Sequence, residues 1–252
     1  ATSGQLRLSS PVTIANGATL ASNLLLSVEG STTTYNSTNN LPLLQVQAGT
    51  FTAANDISVG TLTWSGGTIT GAGELTTTGT TTLSGTGYKY LRDKVWENAG
   101  TVNHTGGFFE LDDNNSSDAI ETRFDNLSGA TYNMSSQANS DSIDGQTENN
   151  AQQIFNNAGT LNWNVLAANG SVSQMGDLVF NNSGTVNVNE SMQLFEAPGI
   201  DTGSYVIADG KSIIITNVES IRSFEPTSSI SLATGATSGQ LRLSSPVTIA
   251  NG

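Results

Sequence analysis

Nine carboxylates crowd into residues 110–148: Glu110, Asp112, Asp113, Asp118, Glu121, Asp125, Asp141, Asp144 and Glu148, with Arg123 as the only base among them. Hard oxygen donors in a loop suit Ca²⁺. Asp112, Asn114, Ser116 and Asp118 fall at alternating positions. That spacing echoes a calcium loop and makes Asp112, Asn114 and Asp118 the candidate metal ligands. The run lacks the central glycine and the closing bidentate glutamate of such a loop. A solvated acidic face is the competing reading, so the expected cofactor is none, or Ca²⁺. Glycoside hydrolysis needs a close carboxylate pair, but Asp112 and Asp113 are chain neighbours and would face opposite ways on a strand. His104 is the only histidine, and there is no cysteine. His104 stands in a slot held elsewhere by Met134, Trp163 and Val188, which reads as a packing position. The chain is therefore expected not to be an enzyme, with a polysaccharide lyase or hydrolase as the remote alternative.

The elements that would position these groups are repeats. Trp96–His104 reads WENAGTVNH, Phe124–Met134 FDNLSGATYNM, Phe155–Trp163 FNNAGTLNW and Phe180–Val188 FNNSGTVNV. The shared threonines, Thr61, Thr80, Thr101, Thr131, Thr160 and Thr185, recur at an irregular spacing of about 20–30 residues, within the range of solenoids. Short alternating strands with turn residues between them point to an all-β fold: a right-handed parallel β-helix of roughly ten coils. A β-sandwich is the alternative, but it does not require one nonapeptide in strand after strand. In the helix, Trp96, Phe124, Phe155 and Phe180 would stack inward. Asn98, Asn126, Asn157 and Asn182 would bond one another up the stack. Gly100, Gly159 and Gly184 would supply the positive φ of the bend. Ser212–Val218 (SIIITNV) suits a buried strand. The polar, aperiodic stretch 134–153 reads as an excursion from the rod.

Residues 1–17, ATSGQLRLSSPVTIANG, return unchanged as residues 236–252. Residues 1–235 are then one repeat unit, and 236–252 open the next identical one. A tandem module gives length and valency. The seam is expected at Leu6, Leu8, Val12 and Ile14, stacked on the coil that holds Ile230 and Leu232. The formal charge of −13, with only eight Lys plus Arg, offers no basic face for nucleic acid and disfavours anionic membranes. No apolar stretch reaches the 18 residues of a membrane span, so no membrane insertion is expected. Tyr88–Trp96 (YKYLRDKVW) carries the one cluster of bases, a patch that could dock an acidic neighbour.

Residues 60–215 resemble the β-helical repeats of large bacterial surface proteins, the adhesin-like or hemagglutinin-like exoproteins. The likeness rests on LTWSGGTITGAGELTTTGTTTLSG, then LRDKVWENAGTVNH, FNNAGTLNW and FNNSGTVNVNESMQLFEAPGIDTGSYVIADGKSIII, in that order. Residues 1–59 share only the general style. The resemblance implies an extracellular parallel β-helix at a bacterial cell surface and no catalytic residues. The expected function is a structural, adhesive module stacking end to end into a stalk, fibre or filament. Its partners would be other copies of the repeat and, on the alternative reading, cell-surface glycans bound with the help of calcium.

Overall fold

A computed structural model describes residues 4–112, 121–135, 141–145, 153–166, 172–216 and 221–250. The chain winds into an all-β parallel solenoid of about ten turns. From residue 67 onward each strand pairs with the strand three places along the chain, so a turn has three faces. The first face runs from Gly4–Leu8 through Thr80–Leu83, Thr101–His104, Thr131–Met134, Thr160–Trp163, Thr185–Val188 and Ser204–Ile207 to Ser229–Leu232. The second carries Lys89–Arg92, Phe109–Asp112, Asp141–Gly145, Ser173–Gly176, Met192–Phe195, Lys211–Thr216 and Gly239–Leu243. The third carries Leu75–Thr77, Val95–Asn98, Thr122–Asn126, Gln153–Asn157, Val179–Asn182, Gly199–Asp201, Arg222–Phe224 and Val247–Ile249.

The alternation of side chains along each strand makes this winding possible. A strand turns successive residues to opposite faces of the sheet. In Thr101–His104, Thr160–Trp163 and Thr185–Val188 the second and fourth residues are buried and the first and third half-exposed. The inward set forms one continuous core down the axis, including Trp64, Trp96, Phe109, Phe124, Tyr132, Phe155, Trp163 and Phe180. In Lys211–Thr216, Ile213 and Ile215 are buried, as SIIITNV suggested, while Ile214 lies outward and half-buried.

Two expectations change. The stretch 134–153 is not wholly an excursion: Asp141–Gly145 is a strand of the second face. Ile143, its inward residue, pairs between Phe109 and Met175 and anchors the turn there. The flanking residues 136–140 and 146–152 lie outside those described. The second change concerns Gly100, Gly159 and Gly184, which do not adopt positive φ. A Cβ on Gly100 would lie 2.0 Å from the Gly79 carbonyl oxygen, one on Gly159 2.3 Å from that of Ala130, and one on Gly184 2.1 Å from that of Gly159. Those oxygens accept the N–H groups of Thr101, Thr160 and Thr185 at 2.9–3.0 Å. The glycines bring each corner close enough to the turn below to make that bond.

Candidate functional site

The repeated nonapeptides converge on two columns inside the third face. Trp96 pairs with Phe124, Phe124 with Phe155 and Phe155 with Phe180, all fully buried. Their ring centroids lie 4.7, 4.7 and 5.8 Å apart. Beside them, Asn98 Nδ2 donates to Asn126 Oδ1, Asn126 Nδ2 to Asn157 Oδ1 and Asn157 Nδ2 to Asn182 Oδ1, each at 2.8 Å. The remaining amide protons reach the carbonyls of Thr131, Thr160, Thr185 and Ser204 across the corner. A buried amide without partners costs about 1–3 kcal/mol, and this column leaves none of the four without one. The arrangement fixes the axial register of successive turns and contains no nucleophile or base.

Two further amide columns run on the outside. On the first face Asn187 donates to Asn162, Asn162 to Asn133 and Asn133 to Asn103, at 2.7–2.9 Å. On the third, Asn181 donates to Asn156 and Asn156 to the Asp125 carboxylate, at 2.9 and 2.7 Å. The donors in these outer columns point toward the N-terminal end of the rod, opposite to the inner one. The signal for the first-face column was present in the recurring Thr-x-Asn. Only the alternation of the strand says that this asparagine faces water while the Asn of the preceding strand faces the core.

Among the described residues, Asp112 and His104 are engaged within the fold. Asp112 Oδ2 accepts from Arg92 Nε at 2.8 Å and also from Arg92 Nη2, and the side chain is buried. Asn114 and Asp118 lie outside the described residues, and among those described no group of three or more His, Asp and Glu could hold a metal. His104 is buried, with Nδ1 on the Tyr132 hydroxyl at 3.0 Å and Nε2 on the Gly107 carbonyl at 2.9 Å. The ring therefore donates from Nε2–H and accepts at Nδ1, and burial pushes its pKa down to about 3.

Two of the three bases of Tyr88–Trp96, Lys89 and Lys94, are buried, and the half-exposed Arg92 is paired with Asp112. Lys94 is buried, and its ammonium donates to the carbonyls of Ala53 and Gly71 at 3.1 Å and also to that of Gly73. Lys89 donates to the Gly87 and Gly106 carbonyls at 3.0 and 2.8 Å. Burial pushes both pKa values down to about 8, so both remain cations at neutral pH. Beside Arg92 that surface carries an aromatic stack. Tyr88 is 45% exposed, with its ring stacked 4.7 Å from Phe108 and 5.6 Å from Tyr90.

The duplicated segment sits above a buried ion cluster. Arg222 Nη2 donates to Asp201 Oδ1 at 2.6 Å and to the Tyr205 hydroxyl at 2.9 Å, while Nη1 donates to the carbonyls of Phe180 and Ala197. The Tyr205 hydroxyl donates to the same Asp201 oxygen at 2.6 Å. Burial pushes the Asp201 and Tyr205 pKa values up. Val247 of the duplicated segment pairs with Arg222 from above. Nothing in the sequence pointed to this cluster, because its partners come from turns 17–42 residues away. Of the expected seam residues, Leu6 is exposed, Leu8 buried, and Val12 and Ile14 half-buried at the first turn. The second copy of that segment lies on Lys211–Thr216 and Arg222–Phe224, the two strands that precede Ser229–Leu232. Ile230 and Leu232 themselves are 39% and 44% exposed.

Comparison with protein-family models, with curated proteins and with solved structures finds no match to this chain.

Proposed function

We propose that the chain is a structural and adhesive repeat module of a large extracellular bacterial surface protein, in which copies continue end to end as one stalk or filament. The observation that carries this reading is the duplicated segment. Residues 236–252 repeat residues 1–17, and their strands extend the parallel ladder of the preceding copy with no break in register. An open strand edge is a template for another strand, and here the next copy supplies it. The amide and aromatic columns support the same role, since they spend the recurring side chains on axial cohesion. The reading assigns no catalytic step.

A three-copy chain imaged by electron microscopy, with and without calcium, tests it. A continuous rod growing by about 50 Å per copy, from a strand spacing of about 4.8 Å, is the expected result. Separate beads on flexible joints would overturn it. A second reading, glycan binding, is favoured by the exposed Tyr88–Phe108 stack, because an aromatic face with a polar edge suits partly wet ligands. A glycan array probed with the chain and with Tyr88→Ala decides that reading: signal lost in the variant supports it, and equal signal removes it.

A further inference from the structure

The same seventeen residues occupy two different pairs of faces on one solenoid. Gly4–Leu8 stacks with residues 24–28 on the first face, and Val12–Ile14 with 33–35 on the second. The identical strand Gly239–Leu243 stacks on Lys211–Thr216 on the second face, and Val247–Ile249 on Arg222–Phe224 on the third. Starting from Gly4–Leu8 and following the first face, ten successive pairings lead to Ser229–Leu232. Gly239–Leu243 is the next strand in the chain and lies one corner beyond. One copy therefore winds ten turns and one face.

Side chains and connectivity agree on this offset. In the first placement Leu6 and Leu8 pair with Leu26 and Val28; in the second Leu241 and Leu243 pair with Ile213 and Ile215. Both interiors are aliphatic, so the strand fits either face with its leucines inward. Only residues 233–238 join Ser229–Leu232 to Gly239–Leu243, and part of that link is a turn closed by Ala236 N–H on the Ala233 carbonyl at 2.9 Å. The shortest full turn of this solenoid takes 18 residues, as in Leu25 opposite Leu43. Six residues round one corner and cannot return to the first face.

We propose that a following copy docks on this end one face onward, so that each copy is turned about the axis by a third of a turn relative to the one before, in addition to the coil-to-coil twist. This rests on the rod reading above. The docking surface is the open edge of Ser229–Leu232, with Ile230 and Leu232 uncovered, together with the edges of Gly239–Leu243 and Val247–Ile249. Its occupant is the stretch of the next copy equivalent to residues 15–35, whose parts 24–28 and 33–35 cover Gly4–Leu8 and Val12–Ile14 in the first copy. In the first copy, residues 15–23 follow Val12–Ile14 across the third face; the Ala18 carbonyl accepts from Ser37 and Asn39, and Leu20 packs on the core. Its equivalent follows Val247–Ile249 onto the first face and closes over Ile230 and Leu232. A surface feature such as the Tyr88–Phe108 stack then recurs about every 50 Å, each time turned by a third of a turn beyond what the coil twist supplies.

The absence of cysteine permits a clean cross-linking test. In the present chain, Ser212→Cys with Gln240→Cys should cross-link, because these residues are partners across the ladder. Ser231→Cys with Gln240→Cys should not. Cryo-electron microscopy of an unsubstituted three-copy chain gives the independent readout, with each copy expected one face on from the last. A continuous rod with its copies in phase, or cross-linking through Ser231 instead of Ser212, would overturn the offset and leave the rod intact. Beads would overturn the rod reading, and the offset with it.

Discussion

Asn157 and Asn162 belong to the same nonapeptide and carry the same side chain, yet they differ in what surrounds them. Asn157 is buried between Asn126 and Asn182; Asn162 lies half-exposed between Asn133 and Asn187. Replacing Asn157 by Ala strands a buried donor below and a buried acceptor above, and should cost about 2–4 kcal/mol in chemical denaturation. Asn162→Ala should cost about 1 kcal/mol or less, because water can take up its neighbours' bonds. His104 gives a pH dependence. Its folded pKa is held near 3 by burial, below the unfolded value of about 6.5. The stability it contributes is present above pH 6.5 and falls as the pH drops through the window from 6.5 to 3, by about 1.4 kcal/mol per unit well inside it. His104→Met, which copies the residue at the equivalent Met134, should flatten that part of the stability curve. An unchanged slope between pH 6 and 4 would show that other groups carry it. The roles of the nonapeptide residues were legible because the motif recurs in one order. The carbonyl cage of Lys94 was not, because its three acceptors lie on two earlier turns and backbone oxygens leave no mark in a sequence.

At the scale of the element, the corners govern. A strand of four residues with alternate residues buried is readable from alternation, and the three-face winding follows from how often it recurs. The reason for the corner glycines was not readable, since glycine serves both a left-handed turn and a close approach. The structure assigns Gly100, Gly159 and Gly184 to the second use. Gly184→Ala would place a Cβ 2.1 Å from the Gly159 oxygen and should destabilise by about 1–3 kcal/mol or more. Gly30 has open space around its Cβ position and no positive φ, so Gly30→Ala should be close to neutral. Paired thermal melts of the two variants check this, and equal losses would refute the close-approach reading. The strand Asp141–Gly145 leaves little mark in the sequence for a related reason: a single inward isoleucine among polar residues is too short a period to stand out.

For the whole molecule, the last strands matter more than their length suggests. Gly239–Leu243 and Val247–Ile249 cover Ile213, Ile215, Phe224 and the Arg222–Asp201 cluster. Ending the chain at residue 235 opens that core and a buried guanidinium to water. The shortened chain should lose about 2 kcal/mol or more, a fall in Tm of roughly 4–8 °C, and it should associate through its bare edge. Calorimetry and sedimentation of the two lengths measure both effects; identical Tm values would mean that the duplicated segment adds no cover.

The direction of the backbone ladder has a mechanical meaning. Bonds between turns lie along the rod, so tension applied at its two ends pulls on them head-on and one row at a time. Such a row opens by peeling, whereas strands pulled along their own length resist in shear. A turn that peels away surrenders about 4.8 Å of rod and releases roughly 20–30 residues of chain, or roughly 70–100 Å when drawn straight. Under load a solenoid of this kind would behave as a yielding tether that lengthens in small steps and takes up shock, with the amide columns setting the force at which each step begins.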